Sequence, residues 1–214
     1  ESWGIGDFHD LAELARITAE HAHADFLLIN PLHAAEPFPP IEDSPYLPTT
    51  RRFINPLYIH VESIPEYTEL DSETRGRIDA LAAPLKDSNH SPDYIRRDPI
   101  YSAKLYALRQ IHALPRSPER DAAYKDYLVH EGRGLDDFAR WCAAQENRDD
   151  DATIDFYRWL QWICDQQFHA ASTAAYDAGM SIGIMADLAV GVHPAGADAT
   201  NLAGVLAPGA SVGA

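Results

Sequence analysis

Two short stretches of this sequence bring together side chains that could do chemistry. The first is Ser44-Pro45-Tyr46, followed by Arg51-Arg52-Phe53 and Asn55-Pro56-Leu57-Tyr58. Rigid prolines flanking an aromatic ring make a pre-organised stacking surface for the face of a sugar, with hydroxyl and amide groups nearby as hydrogen-bond partners. The same residues also suit a plainer role, a loop pinned by its own aromatics and by Arg–carboxylate pairs. The second stretch is Asp187, delivered by the apolar run 181–186 and followed by Leu188-Ala189-Val190-Gly191-Val192. In parallel α/β sheets and barrels, side chains at the carboxyl ends of strands line the active site. A single carboxylate there orients a substrate or supports a catalytic partner. A helix cap or a loop ion pair is the alternative.

Other chemistries fall away on inspection. Gly4-Ile5-Gly6 lacks the third glycine of a dinucleotide site, because His9 occupies its place, and no phosphate-binding loop sequence occurs. His21 and His23 are two apart on a helix and face different ways, and His130-Glu131 has no second histidine four residues on. Asp149-Asp150-Asp151 suits a helix start, where the dipole favours carboxylates, better than a metal site. No metal and no cofactor are expected.

The elements that must position these residues can be read in outline. Asp7 can cap a helix on which Phe8, Leu11, Leu14, Ala15 and Ala22 recur on one face, Thr18 packing there through its methyl. The run 25–30 reads as a strand covered on both faces, as in parallel sheets. Residues 31–56 carry seven prolines, which deny them helix and central-strand bonding. Phe38, Tyr46 and Phe53 make an ordered loop over a site the better reading of this stretch. From residue 64 the chain turns helical, with helices over 72–85 and 100–114, one or two more within 117–147, and a connecting loop at 87–98. A long helix then presents Ile154, Tyr157, Gln161, Cys164, Phe168, Ala171 and Ala175 as a mostly apolar stripe, ending at Gly179. Strand 181–186 follows, and 192–214 reads as loop.

Composition sets the class. The 214 residues are 46% hydrophobic and 23% charged, ordinary for a globular domain and too apolar for a disordered chain. With 17 Lys+Arg against 33 Asp+Glu the net charge is −16, which argues against a nucleic-acid partner. No apolar run approaches the ~20 residues of a membrane span, and Glu1-Ser2-Trp3-Gly4 does not open a signal peptide. Cys142 and Cys164 read as reduced, partly buried thiols of a cytoplasmic protein.

The motifs, taken in order, resemble one family. Ser2-Trp3-Gly4-Ile5-Gly6-Asp7-Phe8, Asn30-Pro31-Leu32-His33-Ala34, and Ser44-Pro45-Tyr46 with residues 51–58 are similar to the opening of the catalytic barrel in the 4-alpha-glucanotransferases (amylomaltases or disproportionating enzymes, glycoside hydrolase family 77). Residues 183–192 resemble the family's third barrel strand and first alpha-amylase-type signature region, and 210–214 the start of a later loop. The resemblance covers nearly the whole chain. It implies an α/β fold, a partial (β/α)8 TIM barrel with about strands two and three and a large helical insertion. Three segments follow: 1–62 (first helix, strand and substrate loop), 63–150 (helical insertion) and 151–214 (long helix, next strand and loop).

The family's activity is the retaining transfer of 1,4-alpha-glucan segments between maltooligosaccharides, by a double displacement on an aspartate nucleophile with a glutamate acid/base. The resemblance implies that both carboxylates lie beyond this chain and that the chain alone is inactive. By the same resemblance Asp187 supports the catalytic centre without being the nucleophile, and Ser44 and Tyr46 border the sugar next to the scissile bond. Tyr46 and Asp187 should then face one cavity. The expected partners are alpha-1,4-glucans and the remainder of the same barrel. The rivals are a non-catalytic glucan-binding or protein-interaction module and a plain structural α/β domain.

Overall fold

The computed structural model describes residues 2–207; the 210–214 motif lies outside them. Helix α1 (Phe8–Ala22) leads into strand β1 (Phe26–Ile29). A long irregular stretch follows, ending in 3-10 turns at Pro56–Tyr58, Val61–Ser63 and Pro65–Glu69. Helices α2 (Ser72–Asp87), α3 (Arg97–His112), α4 (Pro118–Gln145) and α5 (Asp151–Asp177) come next, then strand β2 (Gly183–Ala186) and a short helix α6 (Ala197–Asn201).

Helix starts are closed by the residues expected to close them. Asp7 accepts from the amides of His9 and Asp10, while the Asp10 carboxylate reaches back to the Asp7 amide, a capping box built from two aspartates. Asp150, the middle of the three aspartates, caps α5 through the Thr153 amide at 2.9 Å. In α1 the buried residues are Phe8, Ala15 and Ala19, whereas Leu14 is half exposed. The apolar face is therefore rotated from the one read from spacing, because small residues let α1 lie close against α5. Thr18 turns its hydroxyl back to the Leu14 carbonyl at 2.7 Å. Gly132, with φ of 59°, breaks α4 into two arms.

β1 and β2 pair in parallel, Phe26 opposite Gly183 through Ile29 opposite Ala186. Ala15, Ala19, Ala175 and Met180 pack on one face of this pair, against Leu27 and Ile184. The other face is bare: Leu28 is 64% exposed, and Phe26 and Met185 are open beside it. The strands are thus covered on one side only, not on both. Alternate residues of a strand point to opposite faces, and the described helices lie on only one of them.

The main core centres on α5, buried on nearly all sides between Thr153 and Cys164. It contains Trp3, Phe53, Ile100, Leu135, Trp159 and Ala197, so all three chain segments share it. The opening motif is part of this core: Trp3 is buried and donates through Nε1 to Glu62, which also takes Lys86 Nζ, both at 2.9 Å. Glu66 receives Arg120 at 2.8 and 3.0 Å, and the guanidinium lies over the Trp162 ring. Cys142 and Cys164 are free and buried, and burial pushes both thiols up. Residues 192–214 are not all loop, since α6 forms within them.

The irregular stretch 30–71 borrows hydrogen-bond partners from the helices. Gln161 accepts from the Ile54 amide at 2.9 Å and donates to its carbonyl at 2.8 Å. Gln167 does the same for His60, both at 2.8 Å. Lys104 of α3, fully buried, donates to the carbonyls of Leu57 and Ile59 at 2.7 and 2.8 Å. Burial lowers the Lys104 ammonium to about 8, against the opposing pull of Asp7 and Glu62. Between that value and the ordinary ~10.4 of lysine the unfolded chain holds more protons, so stability rises with pH across the window. Wild type should therefore gain on Lys104→Met by about 1–3 kcal/mol from pH 8 to pH 10, read from paired urea unfolding curves. Parallel pH dependences would show that Lys104 is not the group responsible.

Candidate active site

Strand β2 ends at Ala186, and the next residue continues its direction. The Asp187 amide donates to the Ile29 carbonyl at 2.9 Å, and its Oδ1 accepts from the Leu188 amide at 2.8 Å. The other carboxylate oxygen, Oδ2, accepts from the Tyr46 hydroxyl at 2.8 Å. Tyr46 and Asp187, far apart in the chain, thus meet directly at the carboxyl end of the parallel pair. Ser44 stands beside them, its Oγ accepting from the Tyr46 amide at 3.3 Å. The Tyr46 ring is 45% exposed, leaving aromatic surface open to solvent. The hydrogen bond to Asp187 raises the Tyr46 phenol above its ordinary range, with desolvation and the Asp187 charge adding to it.

The loop that carries Tyr46 is stitched to the chain beyond Asp187. Thr49 is buried; its amide and hydroxyl donate to the Ala34 carbonyl at 2.9 and 3.0 Å, and its own carbonyl accepts from the Asp198 amide at 3.0 Å. The Pro48 carbonyl accepts from His193 at 2.7 Å, and the Arg51 amide donates to the Asp198 carboxylate at 3.0 Å. Gly196 is required at the closest approach, where a Cβ would sit 2.6 Å from the Thr49 carbonyl oxygen. The Arg51 guanidinium spans to the carbonyls of Ala189 and Val190, at 3.4 and 3.2 Å. His33 Nε2 accepts from the Ala189 amide at 3.3 Å. Burial, then the Arg51 charge, holds His33 below the usual histidine range, while Asp198, the Arg51 backbone and Asp187 pull the other way. Arg52 points elsewhere, to Glu131 of α4 at 2.8 Å.

Sequence reasoning singled out Ser44, Tyr46 and Asp187; the structure joins Tyr46 to Asp187 directly and ties Ser44 to the Tyr46 amide. Sequence reasoning named His33 only within a motif, read Arg51 only as a cation pairing with a carboxylate to pin the loop, and passed over Asp198. The available signal was the proline-rich loop itself, whose prolines leave part of its backbone to be satisfied by partners outside it.

The arrangement places an aromatic ring and a carboxylate together at the carboxyl end of the strand pair. The family model described as 4-alpha-glucanotransferase matches residues 1–152 and 143–214. The chain belongs to this family. The 4-alpha-glucanotransferase of Mycobacterium tuberculosis (strain H37Rv) is 47% identical over 244 residues, spanning all of this chain and 33% of that protein. That of Haemophilus influenzae is 29% identical, again over all of this chain and 36% of its own length. Among solved structures, amylomaltase from Corynebacterium glutamicum matches with 56% identity and a TM-score of 0.95, over the whole chain and 32% of that protein. Amylomaltase from Streptococcus agalactiae, solved in complex with acarbose, shares the fold at 16% identity and a TM-score of 0.64, over 97% of this chain and 45% of that one. This chain therefore spans about a third of the length of the curated glucanotransferases it matches.

Among the described residues no three His, Cys, Asp or Glu side chains gather to hold a metal ion, and no helix is long and apolar enough to cross a membrane. The Tyr46–Asp187 bond makes a direct spectroscopic prediction for this member of the glucanotransferase family. The Tyr46 phenol, followed by NMR on ring-labelled protein, should titrate above an ordinary tyrosine, and Asp187→Asn should bring it down. An unchanged titration would mean that the two side chains do not pair in solution.

Proposed function

We propose that this chain is the part of a 4-alpha-glucanotransferase barrel that contributes strands two and three and one wall of the sugar site. The reading rests on the Tyr46–Asp187 hydrogen bond at the carboxyl end of a parallel strand pair, where barrel enzymes do their chemistry. In this role the Tyr46 ring stacks on a glucose face and Ser44 lines the same subsite. Asp187 hydrogen-bonds the sugar next to the scissile bond and is fixed by Tyr46 when no sugar is bound.

Transfer with retention needs two further carboxylates flanking the glycosidic oxygen, one to form the covalent glycosyl-enzyme and one to protonate the leaving group. Asp187 alone cannot serve as both. These groups are assigned to the part of the barrel outside this chain, which also covers the bare face of β1 and β2 carrying Phe26, Leu28 and Met185. The substrates are maltooligosaccharides and other alpha-1,4-glucans, the protein works in the cytoplasm, and the reaction calls on no nucleotide or metal.

Chromatography of maltotriose digests tests the proposal. The 214-residue chain alone should not redistribute maltotriose into longer and shorter glucans. In the complete enzyme that contains it, Asp187→Asn should lower transfer by about two orders of magnitude or more, and Tyr46→Ala by about tenfold. Disproportionation by the chain alone would overturn the placement of the reacting carboxylates, and full activity of Asp187→Asn would remove that residue from the site.

A further inference from the structure

We infer that His33 and Arg51 together are the positioning pair for Asp187, holding the two peptide groups that flank the Ala189 Cα; the inference rests on the site reading above. The strand ladder ends with the Asp187 amide, so the backbone from 188 to 190 has no sheet to fix it. Ala189 is nevertheless fully buried. Its amide finds only an imidazole, His33 Nε2 at 3.3 Å, and its carbonyl faces the Arg51 guanidinium at 3.4 Å. The same guanidinium takes the Val190 carbonyl at 3.2 Å.

Both partners come from the segment that also carries Tyr46. His33 lies just beyond β1, paired across an isolated bridge with Ile54, and Arg51 is anchored by its own amide to Asp198. The Asp187 side chain is thus held by Tyr46, and the backbone two to three residues beyond it by His33 and Arg51, all from one segment. A reacting geometry tolerates little displacement, so grip on the backbone two residues away bears on where the carboxylate points.

The contact requires a particular protonation state. Nε2 can accept only while it carries no proton, which leaves the proton of the neutral ring on Nδ1. The charged groups facing the ring are Arg51 from the loop, Asp198 from α6 and Asp187 from the strand end. Burial and Arg51 favour the neutral ring and the two aspartates oppose them. On protonation, an N–H would face the Ala189 N–H, and the imidazole side of the grip would open. A merely structural histidine would affect stability without shaping the acid limb of turnover.

The test is kcat and KM for maltotriose disproportionation by the complete enzyme between about pH 5 and pH 8. His33→Ala should lower kcat about tenfold or more, the loss expected for one buried amide left without its acceptor. His33→Gln, whose Oε1 accepts the same hydrogen without titrating, should recover most of kcat at neutral pH and flatten the acid limb. An acid limb unchanged in His33→Gln, or no recovery relative to His33→Ala, would overturn the inference. If His33→Ala does not fold, the pH profile of His33→Gln decides alone. Asp187→Asn in the same assay separates the two levels. Its full activity would sink the site reading itself, whereas its inactivity beside an unaltered His33→Gln profile would sink only the positioning role.

Discussion

Backbone amides and carbonyls between Asn30 and Asp71 have almost no helix or strand to satisfy them, yet much of that stretch is buried. Everything else in the fold answers to this constraint. A buried peptide group left unpaired costs about as much as a lost hydrogen bond or more, so an irregular segment can lie inside only where side chains substitute for secondary structure. Two glutamines of α5 do this by donating and accepting at once, each mimicking a strand partner for a single residue. Lys104 serves two carbonyls with one ammonium, and burial lowers its pKa despite the opposing pull of Asp7 and Glu62. The helical block between the strands is therefore scaffold for the loop as well as core.

The site inherits its order from the same device. Tyr46 is held in the open by a loop whose neighbouring residues, Thr49 and Pro48, are bonded into Ala34, His193 and Asp198. An exposed ring on a rigid base suits recognition of a sugar face, because little conformational freedom is lost on binding. The two walls of the site belong to segments on either side of the helical block. The parallel β1–β2 pairing sets their register, and the contacts of His33, Thr49 and Arg51 hold them together beyond it.

Much of this was readable beforehand, and for identifiable reasons. Helices α1 and α5 announced themselves through Asp7, Asp150 and apolar spacing, all local signals. Ser44, Tyr46 and Asp187 stood out because their residue types sit in unusual company. The 3-10 turns between Pro56 and Glu69 left no periodic pattern, since their stability comes from Gln161, Gln167 and Lys104 far along the chain. His33 and Arg51 were silent for a similar cause: each acts on a peptide group, which any sequence contains. The face of Phe26 and Leu28 is open among the described residues, and an unbroken apolar run looks the same whether one side or both are covered by the chain at hand.

The pairing of Ile29 with Ala186 also has a history in time. Every helix from α2 to α5 lies between these two strands, so the ladder closes one of the longest loops in the molecule. Such closure carries its entropy cost before the contacts that offset it have formed, and non-local pairings of this kind are slow. The strands have no apolar support until the alanines of α1 and α5 lie together beneath them. The ladder that sets Tyr46 against Asp187 therefore depends on α1 and α5 as much as on its own hydrogen bonds.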